Sequence, residues 1–329
     1  MLSTNKGIKG VFFEAFLLTY NRSEFLKEAL LSLVNQTVDF PITILDNAST
    51  DKTAEVVRKI QEKFPLKIIK FLTVSENQGA VANFKRAQEM ATADYCILFH
   101  DDDVLHPNYI KTVLEILDKN QDIDILSCNG ISTMNPEIRR WRKMTGKYFL
   151  LSKEDFAGYL TCYKTFNYPA TIYKTSRLKR VNHHVELYGK ISDRPYLIDI
   201  VSETGKAIVL QDSYIKYRIH AGQDSNTDKT GPFEIEILHV LKKYNDESLG
   251  FSDRKIYPFF MYEKMWMFYR WIIRKYMSFE EFEQKCLDGG ILEKKSPCFQ
   301  KRNFCYKIRK ILYQCKRDFY FKKYERKVI

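Results

Sequence analysis

The first 127 residues alternate short apolar runs with amphipathic stretches, and this alternation limits the possible folds more than any other feature of the chain. Phe12 to Thr19 is an apolar run of strand length. Asn21-Arg22-Ser23 then offers a helix cap, and Phe25 to Val34 has helical spacing. Ile42 to Leu45 reads as a second strand ending on Asp46, and Ser49-Thr50-Asp51 caps a helix that runs to about Lys63. A third strand is expected over Lys67–Leu72, a helix over Ala80–Ala91 behind Gly79, and a fourth strand over Tyr95–Phe99. Pro107 opens the next helix in its first turn, and Ile123–Ser127 is a fifth strand. Strands separated by helices predict an α/β chain, with a mostly parallel, Rossmann-like sheet and helices on both faces. Such sheets bind ligands beyond the carboxyl ends of their strands. Three polar clusters fall there: Thr19-Tyr20-Asn21, Asp46-Asn47 and Asp101-Asp102-Asp103.

The acidic triplet is the central chemical feature. Adjacent carboxylates repel one another unless a cation compensates, and oxygen ligands of this kind suit Mg²⁺ or Mn²⁺. In extended backbone Asp101 and Asp103 project to one side and Asp102 to the other. The competing reading is acidic capping of the helix near Pro107.

Between about 129 and 225 the pattern loosens into mixed structure. After Pro232 helices are expected over Phe233–Tyr244, Asp253–Tyr276, Phe279–Leu287 and from Phe299 onward. The polar stretch Gln223–Gly231 is read as a boundary, giving a domain at 1–225 and a helical region at 226–329. No apolar run approaches the roughly 20 residues of a membrane-spanning helix. Lys6 and Lys9 ahead of Val11–Phe13 resemble a signal peptide only superficially, because Glu14 interrupts the run and no small-residue cleavage site follows; the chain is expected in the cytoplasm. Seven cysteines, an odd count without a Cys-x-x-Cys pair, point to free thiols in a reduced compartment.

The net charge of +12 is concentrated at one end: residues 301–329 hold eleven Lys/Arg and two acids. In this tail, about 299–329, Phe304, Ile308, Ile311, Leu312, Cys315 and Phe319 recur at helical spacing, with Lys307, Arg309, Lys310, Lys316 and Arg317 between them. A basic amphipathic helix suits an anionic membrane surface, which would make the protein peripheral to the inner face of the membrane. The other reading packs the apolar stripe on the body. No nucleic-acid reader motif is present, and no nucleic-acid partner is expected.

Five motifs occur in order: Phe16-Leu17-Leu18-Thr19-Tyr20-Asn21, Ser32-Leu33-Val34-Asn35-Gln36-Thr37, Leu45-Asp46-Asn47-Ala48-Ser49-Thr50-Asp51, Asn77-Gln78-Gly79 and Phe99-His100-Asp101-Asp102-Asp103. In these the chain resembles a family 2 glycosyltransferase with the GT-A fold, densely over about 12–127 and more thinly to about 225. The resemblance implies a nucleotide-sugar donor, UDP-linked in the first instance, a divalent cation held by an Asp-x-Asp motif, and inversion at the anomeric carbon. It implies a glycan or lipid-linked acceptor, as in cell-surface polysaccharide assembly, and leaves a homo-oligomer open. Thr19 then contacts the nucleoside and Asp46 reads the uracil. Asp101 and Asp103 serve the metal and ribose-phosphate, Asp102 can replace either in register, and Asn77 and Gly79 approach the nucleotide. Gly79 is equally readable as a turn glycine, and Asp51 as a helix cap.

The acceptor hydroxyl needs a general base. Asp193 falls where the family has its catalytic aspartate, with a helix start before Pro195 as the other reading and Asp199 as a second candidate. His220, in Tyr217-Arg218-Ile219-His220, matches a family element that completes the metal site or touches the diphosphate; a structural histidine is the alternative. Arg218 could pair with phosphate. His100, His183 and His184 have no comparable support, and His106 reads as a turn residue. The chain departs from the pattern in having Asp46-Asn47 where many members have two acids, and Ser192-Asp193 where many have Glu-Asp. A sugar nucleotidyltransferase would need a Gly-rich loop after the first strand, which Thr19–Arg22 does not supply. A non-catalytic protein that binds nucleotide sugar or nucleic acid through the tail is the remaining rival, and it predicts steep salt dependence without sugar transfer.

Overall fold

The computed structural model describes residues 10–163, 166–223, 233–248, 250, 256–295 and 304–328, the side chains of residues 304 and 305 excepted. The first half follows the expected alternation: β1 (Phe13–Thr19), α1 (Ser23–Val34), β2 (Ile42–Asp46), α2 (Thr53–Lys63), β3 (Ile69–Thr73), α3 (Ala80–Met90), β4 (Tyr95–His100), the two-residue β5 (Val104–Leu105), α4 (Tyr109–Lys119) and β6 (Ile123–Thr133). The mixed stretch resolves into β7 (Lys147–Leu151), α5 (Lys153–Cys162), β8 (Ile172–Lys174), the short helices α6 (Thr175–Leu178) and α7 (Val185–Tyr188), α8 (Asp193–Ile200) and β9 (Lys206–Arg218). The C-terminal helices are α9 (Glu234–Glu247), α10 (Tyr257–Trp271), α11 (Phe279–Asp288) and α12 (Phe304–Lys322), and β10 (Glu325–Lys327) follows. The expected start of α10 at Asp253, the stretch 299–303 and most of the expected boundary after Gln223 lie outside the described residues.

One sheet runs in the order β3-β2-β1-β4-β8-β6-β9-β7-β10, with β5 set against β9. β3, β2, β1 and β4 pair in parallel, as do β6 and β9, while β8 lies antiparallel between β4 and β6. β1, β2, β3, β4, β6 and β9 therefore all point the same way, and their carboxyl ends share one edge. The pairing of β6 with β9 slips register between Cys128 and Gly130, where Gln211, Asp212 and Tyr214 are left over on β9. Such bulges re-aim side chains at a sheet edge, and here they turn Asn129 and Gln211 into a cavity wall.

Alternation along each strand divides the core between two faces. Leu17 and Ile44 pack with Leu26, Leu30, Val57, Ile110 and Val113, so α1, α2 and α4 cover one face. Phe16 and Leu45 face the other way, into a core shared with Phe84 of α3, Phe156 of α5, Leu197 of α8 and the C-terminal helices. α9, α10 and α11 supply Val240, Met265 and Phe282, all fully buried. α11 begins with a reciprocal cap, in which the Ser278 hydroxyl accepts from the Glu281 N–H and the Glu281 carboxylate accepts from the Ser278 N–H.

Of the two readings of the tail, α12 does not take the one that packs its aliphatic stripe on the body. Its tyrosine face packs on the body: Tyr306 and Phe321 are buried, and Tyr313, Tyr320 and Tyr324 lie against the core. Lys310 pairs with Glu263 of α10 at 2.5 Å, and β10 extends the sheet by pairing with β7. The aliphatic stripe points outward, with Ile308 41%, Ile311 60%, Leu312 55% and Phe319 81% exposed. The aromatic rings pack against Phe259 of α10 and Phe149 of β7, and the aliphatic positions are left exposed.

Candidate active site

The acidic triplet is not extended. Residues 101 and 102 form a turn after β4, which gives the three carboxylates separate surroundings. Asp101 accepts from the Thr19 hydroxyl at 2.8 Å and from Arg22 Nη1 at 3.3 Å. Asp102 Oδ2 accepts from Arg22 Nη1 at 3.1 Å and lies 3.1 Å from His220 Nε2. Asp103 Oδ1 accepts from the Arg218 N–H at 2.8 Å, and its Oδ2 is buried with no partner. His100, Asp102 and Asp103 bring ligand atoms within 4.8 Å of one another. Asp101 and His220 lie outside that group. Burial pushes the Asp101 carboxyl up to about 6, against the pull of the Arg22 guanidinium. Burial and the adjacent Asp102 charge raise Asp103 well above the usual range.

His220 and Arg218 brace this turn. The Gly222 N–H donates to His220 Nδ1 at 3.2 Å, so a neutral ring carries its proton on Nε2 and donates it to Asp102. Arg218 is buried. Its guanidinium donates to the Asp102 carbonyl and to Glu28 of α1, each at 2.8 Å, and stacks 4.5 Å from the Phe25 ring. Those contacts direct it to the scaffold, not outward to a phosphate.

Along the same edge, Asp46 is buried and accepts from the Ser49 N–H at 3.1 Å and the Thr73 hydroxyl at 2.7 Å. The Asn47 amide holds the loop that follows β3: it donates to the Asn77 side chain at 2.7 Å and the Gly79 carbonyl at 3.1 Å, and accepts from the Gln78 N–H. Asn77 is thus fixed by Asn47. Gly79 has φ +86° with open space where a side chain would go, so backbone conformation, not crowding, calls for glycine. Asp51 accepts from the Ser23 N–H at 2.9 Å and the Thr53 N–H at 3.0 Å, capping the starts of α1 and α2. Those bonds lower its carboxyl below the usual range despite burial.

Beside the acidic turn lies a cavity of about 700 Å³. Asp193, first residue of α8, is in its wall with Asn129, Asn167, Tyr168 and Gln211. Burial raises its carboxyl above the usual range, against the pull of Arg194 and of nearby His100. Ser192 occupies the cap position ahead of α8 but makes no side-chain cap bond. Asp199 is ion-paired with Lys243 at 2.6 Å. A Cβ at Gly130 would collide with the Asn167 amide, so glycine lets Asn167 stand in this wall. His100 lies 5.8 Å from the Tyr168 ring. It therefore lies between the acidic turn and Tyr168 of the cavity wall.

A family model described as Glycosyl transferase family 2 matches residues 15–176. Residues 15–176 belong to glycosyl transferase family 2. The abequosyltransferase RfbV of Salmonella typhimurium is 32% identical over 142 residues, 41% of this chain and 42% of that protein. The chain thus matches less than half the length of that relative. Among solved structures, Staphylococcus aureus TarS residues 1–349 in complex with UDP-GlcNAc superposes with a TM-score of 0.56 at 18% identity, covering 82% of this chain and 77% of that one. The mannosyltransferase PcManGT from Pyrobaculum calidifontis in complex with GDP-Man and Mn²⁺ gives 0.50 at 13% identity, covering 87% and 81%. These structures share the GT-A-like fold expected from the sequence.

Within this family 2 framework, three side chains near the site carried no sequence signal of their own. Arg22 looked like part of a helix cap, yet it supplies the positive charge between Asp101 and Asp102 and reaches the Gly222 carbonyl at 3.2 Å. His100 precedes the triplet directly, and that adjacency was the available hint. His183 lies 2.6 Å from the Tyr168 hydroxyl and 3.2 Å from the Ser192 hydroxyl, stacked 4.0 Å from Tyr196. Burial lowers it to about 4, so it is neutral at pH 7 and orders the wall next to Asp193.

Proposed function

We propose that this chain is an inverting, metal-dependent transferase that moves a sugar from a UDP-sugar to an acceptor hydroxyl on a growing or lipid-linked glycan, in cell-surface polysaccharide assembly. The observation that carries the reading is Asp193 in a cavity wall, joined through His100 to an acidic turn with an unpartnered buried carboxylate oxygen. Asp193 takes the proton of the attacking hydroxyl, the new bond forms from that oxygen to the anomeric carbon, and the bond from that carbon to the diphosphate breaks. A carboxyl raised by burial is a stronger base when ionised. Asp46 meets the nucleobase, with Asn77 and Gly79 shaping the nucleotide's approach. Thr19 orients Asp101.

A divalent ion, Mn²⁺ or Mg²⁺, fits the acidic turn: Asp103 Oδ2 lacks a partner, and His100, Asp102 and Asp103 converge. Asp102 and Asp103 would hold it, with Asp101 and His220 as outer supports. Bound there, it would offset the charge of the leaving diphosphate. The UDP-GlcNAc complex of TarS supports a UDP-linked donor, and the GDP-Man and Mn²⁺ complex of PcManGT supports a metal.

Residues 1–225 then form the catalytic unit, and 226–329 a helical frame behind it. No helix among the described residues is long and apolar enough to cross a membrane. The outward stripe of α12, flanked by Lys307 and Lys316, docks the enzyme on an anionic membrane at the cytoplasmic face.

Hydrolysis of a panel of UDP-, GDP-, TDP- and CMP-sugars, with Mn²⁺ and with chelator, tests the reading. Metal-dependent hydrolysis of one UDP-sugar is expected. Silence across the panel together with no Mn²⁺-dependent UDP binding would overturn it in favour of a non-catalytic binding protein.

A further inference from the structure

The segment between β6 and β7, residues 134–146, carries Arg139, Arg140, Arg142 and Lys143 against one acid, Glu137. All four cations are exposed. Among the described residues none of them has an ion-paired or hydrogen-bonded partner. Four like charges within five residues repel one another, and no described residue forms an ion pair with any of them.

The segment is nonetheless pinned at three places. Lys216 Nζ donates to the Pro136 carbonyl at 2.6 Å and sits 4.6 Å over the Trp141 ring, whose edge meets His106 at 5.0 Å. The Thr145 and Gly146 N–H groups donate to the Asp212 carboxylate at 2.9 and 2.7 Å. Backbone held this way presents its cations without the ordering cost of a free loop. Arg142 and Lys143 stand in the wall of the same cavity as Asp193. The wall also holds Asp212, whose carboxylate is taken up by the Thr145 and Gly146 N–H groups, and the amides of Asn129, Asn167 and Gln211, groups that pair with sugar hydroxyls.

We propose that the acceptor is an anionic glycan, bearing phosphate or carboxylate groups that Arg142 and Lys143 hold while one of its hydroxyls reaches Asp193. This rests on the transferase reading above. A guanidinium matches either anion with paired hydrogen bonds, and lysine adds a point charge. The donor diphosphate is the other anion that could meet these cations. The acidic turn proposed to serve it is not part of the cavity wall, which assigns Arg142 and Lys143 to the acceptor.

The test is binding by the full-length protein, read by fluorescence anisotropy, of three labelled probes: a glycerol-phosphate hexamer, hexagalacturonate and neutral maltohexaose. UDP binding with Mn²⁺ is measured in parallel. At least one anionic probe is expected to bind about tenfold or more tightly than maltohexaose, and R142Q/K143Q to remove that preference with UDP affinity kept within about twofold. The control K307Q/K316Q, which removes the same charge from α12, should leave the preference intact. Equal binding of all three probes, equal losses in both double variants, or a matching loss of UDP affinity in R142Q/K143Q would overturn the proposal. Failure of the wild-type protein to bind UDP counts against the transferase reading and leaves the anion preference standing.

Discussion

Asp193 is the side chain on which turnover should depend most. Asp193→Asn keeps the shape and removes the proton acceptor, so kcat should fall by about 10² to 10⁴ while UDP-sugar affinity holds. The base works only when ionised, and burial raises its carboxyl. Wild-type activity should therefore climb with pH through an acid limb above the ordinary carboxylate range, and that limb should be missing from the residual activity of the variant. Turnover within a few-fold of wild type would move the base elsewhere. The carboxylates of this candidate site were legible in the sequence because each ends or follows a strand or opens a helix, where alternation predicts convergence. His100 and Arg22 were not. A histidine beside three aspartates gives no sign of packing against a cavity-wall tyrosine, and an arginine after a strand reads as a cap until the turn that folds over it is known.

At the scale of elements, α12 shows what periodicity can and cannot decide. Helical spacing located the helix and its apolar stripe, but not which of two apolar faces turns inward, because the tyrosines form a second face and aromatic rings suit a membrane interface and a packed core alike. Ile311 and Phe319 are 60% and 81% exposed, so charging them removes little packing. Ile311→Glu with Phe319→Glu should leave the melting temperature nearly unchanged and abolish co-sedimentation with phosphatidylglycerol vesicles, whose anionic surface attracts Lys307 and Lys316. Unaltered co-sedimentation would mean that another surface makes the contact. The parallel half of the sheet was readable in the same way, strand by strand. β9 was not, because its thirteen residues carry a bulge at Gln211 and Asp212 that breaks the two-residue alternation by which a strand is recognised. The inward tyrosine face has its own test. Phe321 is fully buried against Phe149, Tyr159 and Tyr163. Phe321→Ala should cost about 3–5 kcal/mol, read by denaturant unfolding, whereas a cost below about 1 kcal/mol would mean that α12 adds little to the body.

For the whole molecule, the acidic turn links stability to both pH and metal. The folded-state carboxyl of Asp101 is raised to about 6 from an ordinary 3.8. The folded protein therefore binds a proton that the unfolded chain has released, and stability from this group is lost as pH rises from about 4 to about 6, by on the order of 3 kcal/mol. Asp103 shifts in the same direction. His183 acts oppositely over nearly the same window: its folded value is lowered to about 4 from 6.5, so the unfolded chain holds the extra proton and stability is gained as pH rises. The two trends offset each other in a metal-free melting profile, so that profile alone separates neither. The difference made by metal does separate them, because His183 contributes equally with and without it. Carboxylates must be ionised to hold a divalent ion, and protons compete for them. The Mn²⁺-induced rise in melting temperature should therefore be small at pH 5 and grow through pH 6 to a plateau near pH 7.5. At 100 times the dissociation constant the plateau corresponds to about 2.7 kcal/mol. Asp103→Ala should abolish the rise at every pH, and a shift independent of pH, or one that survives in Asp103→Ala, would put the ion away from the turn.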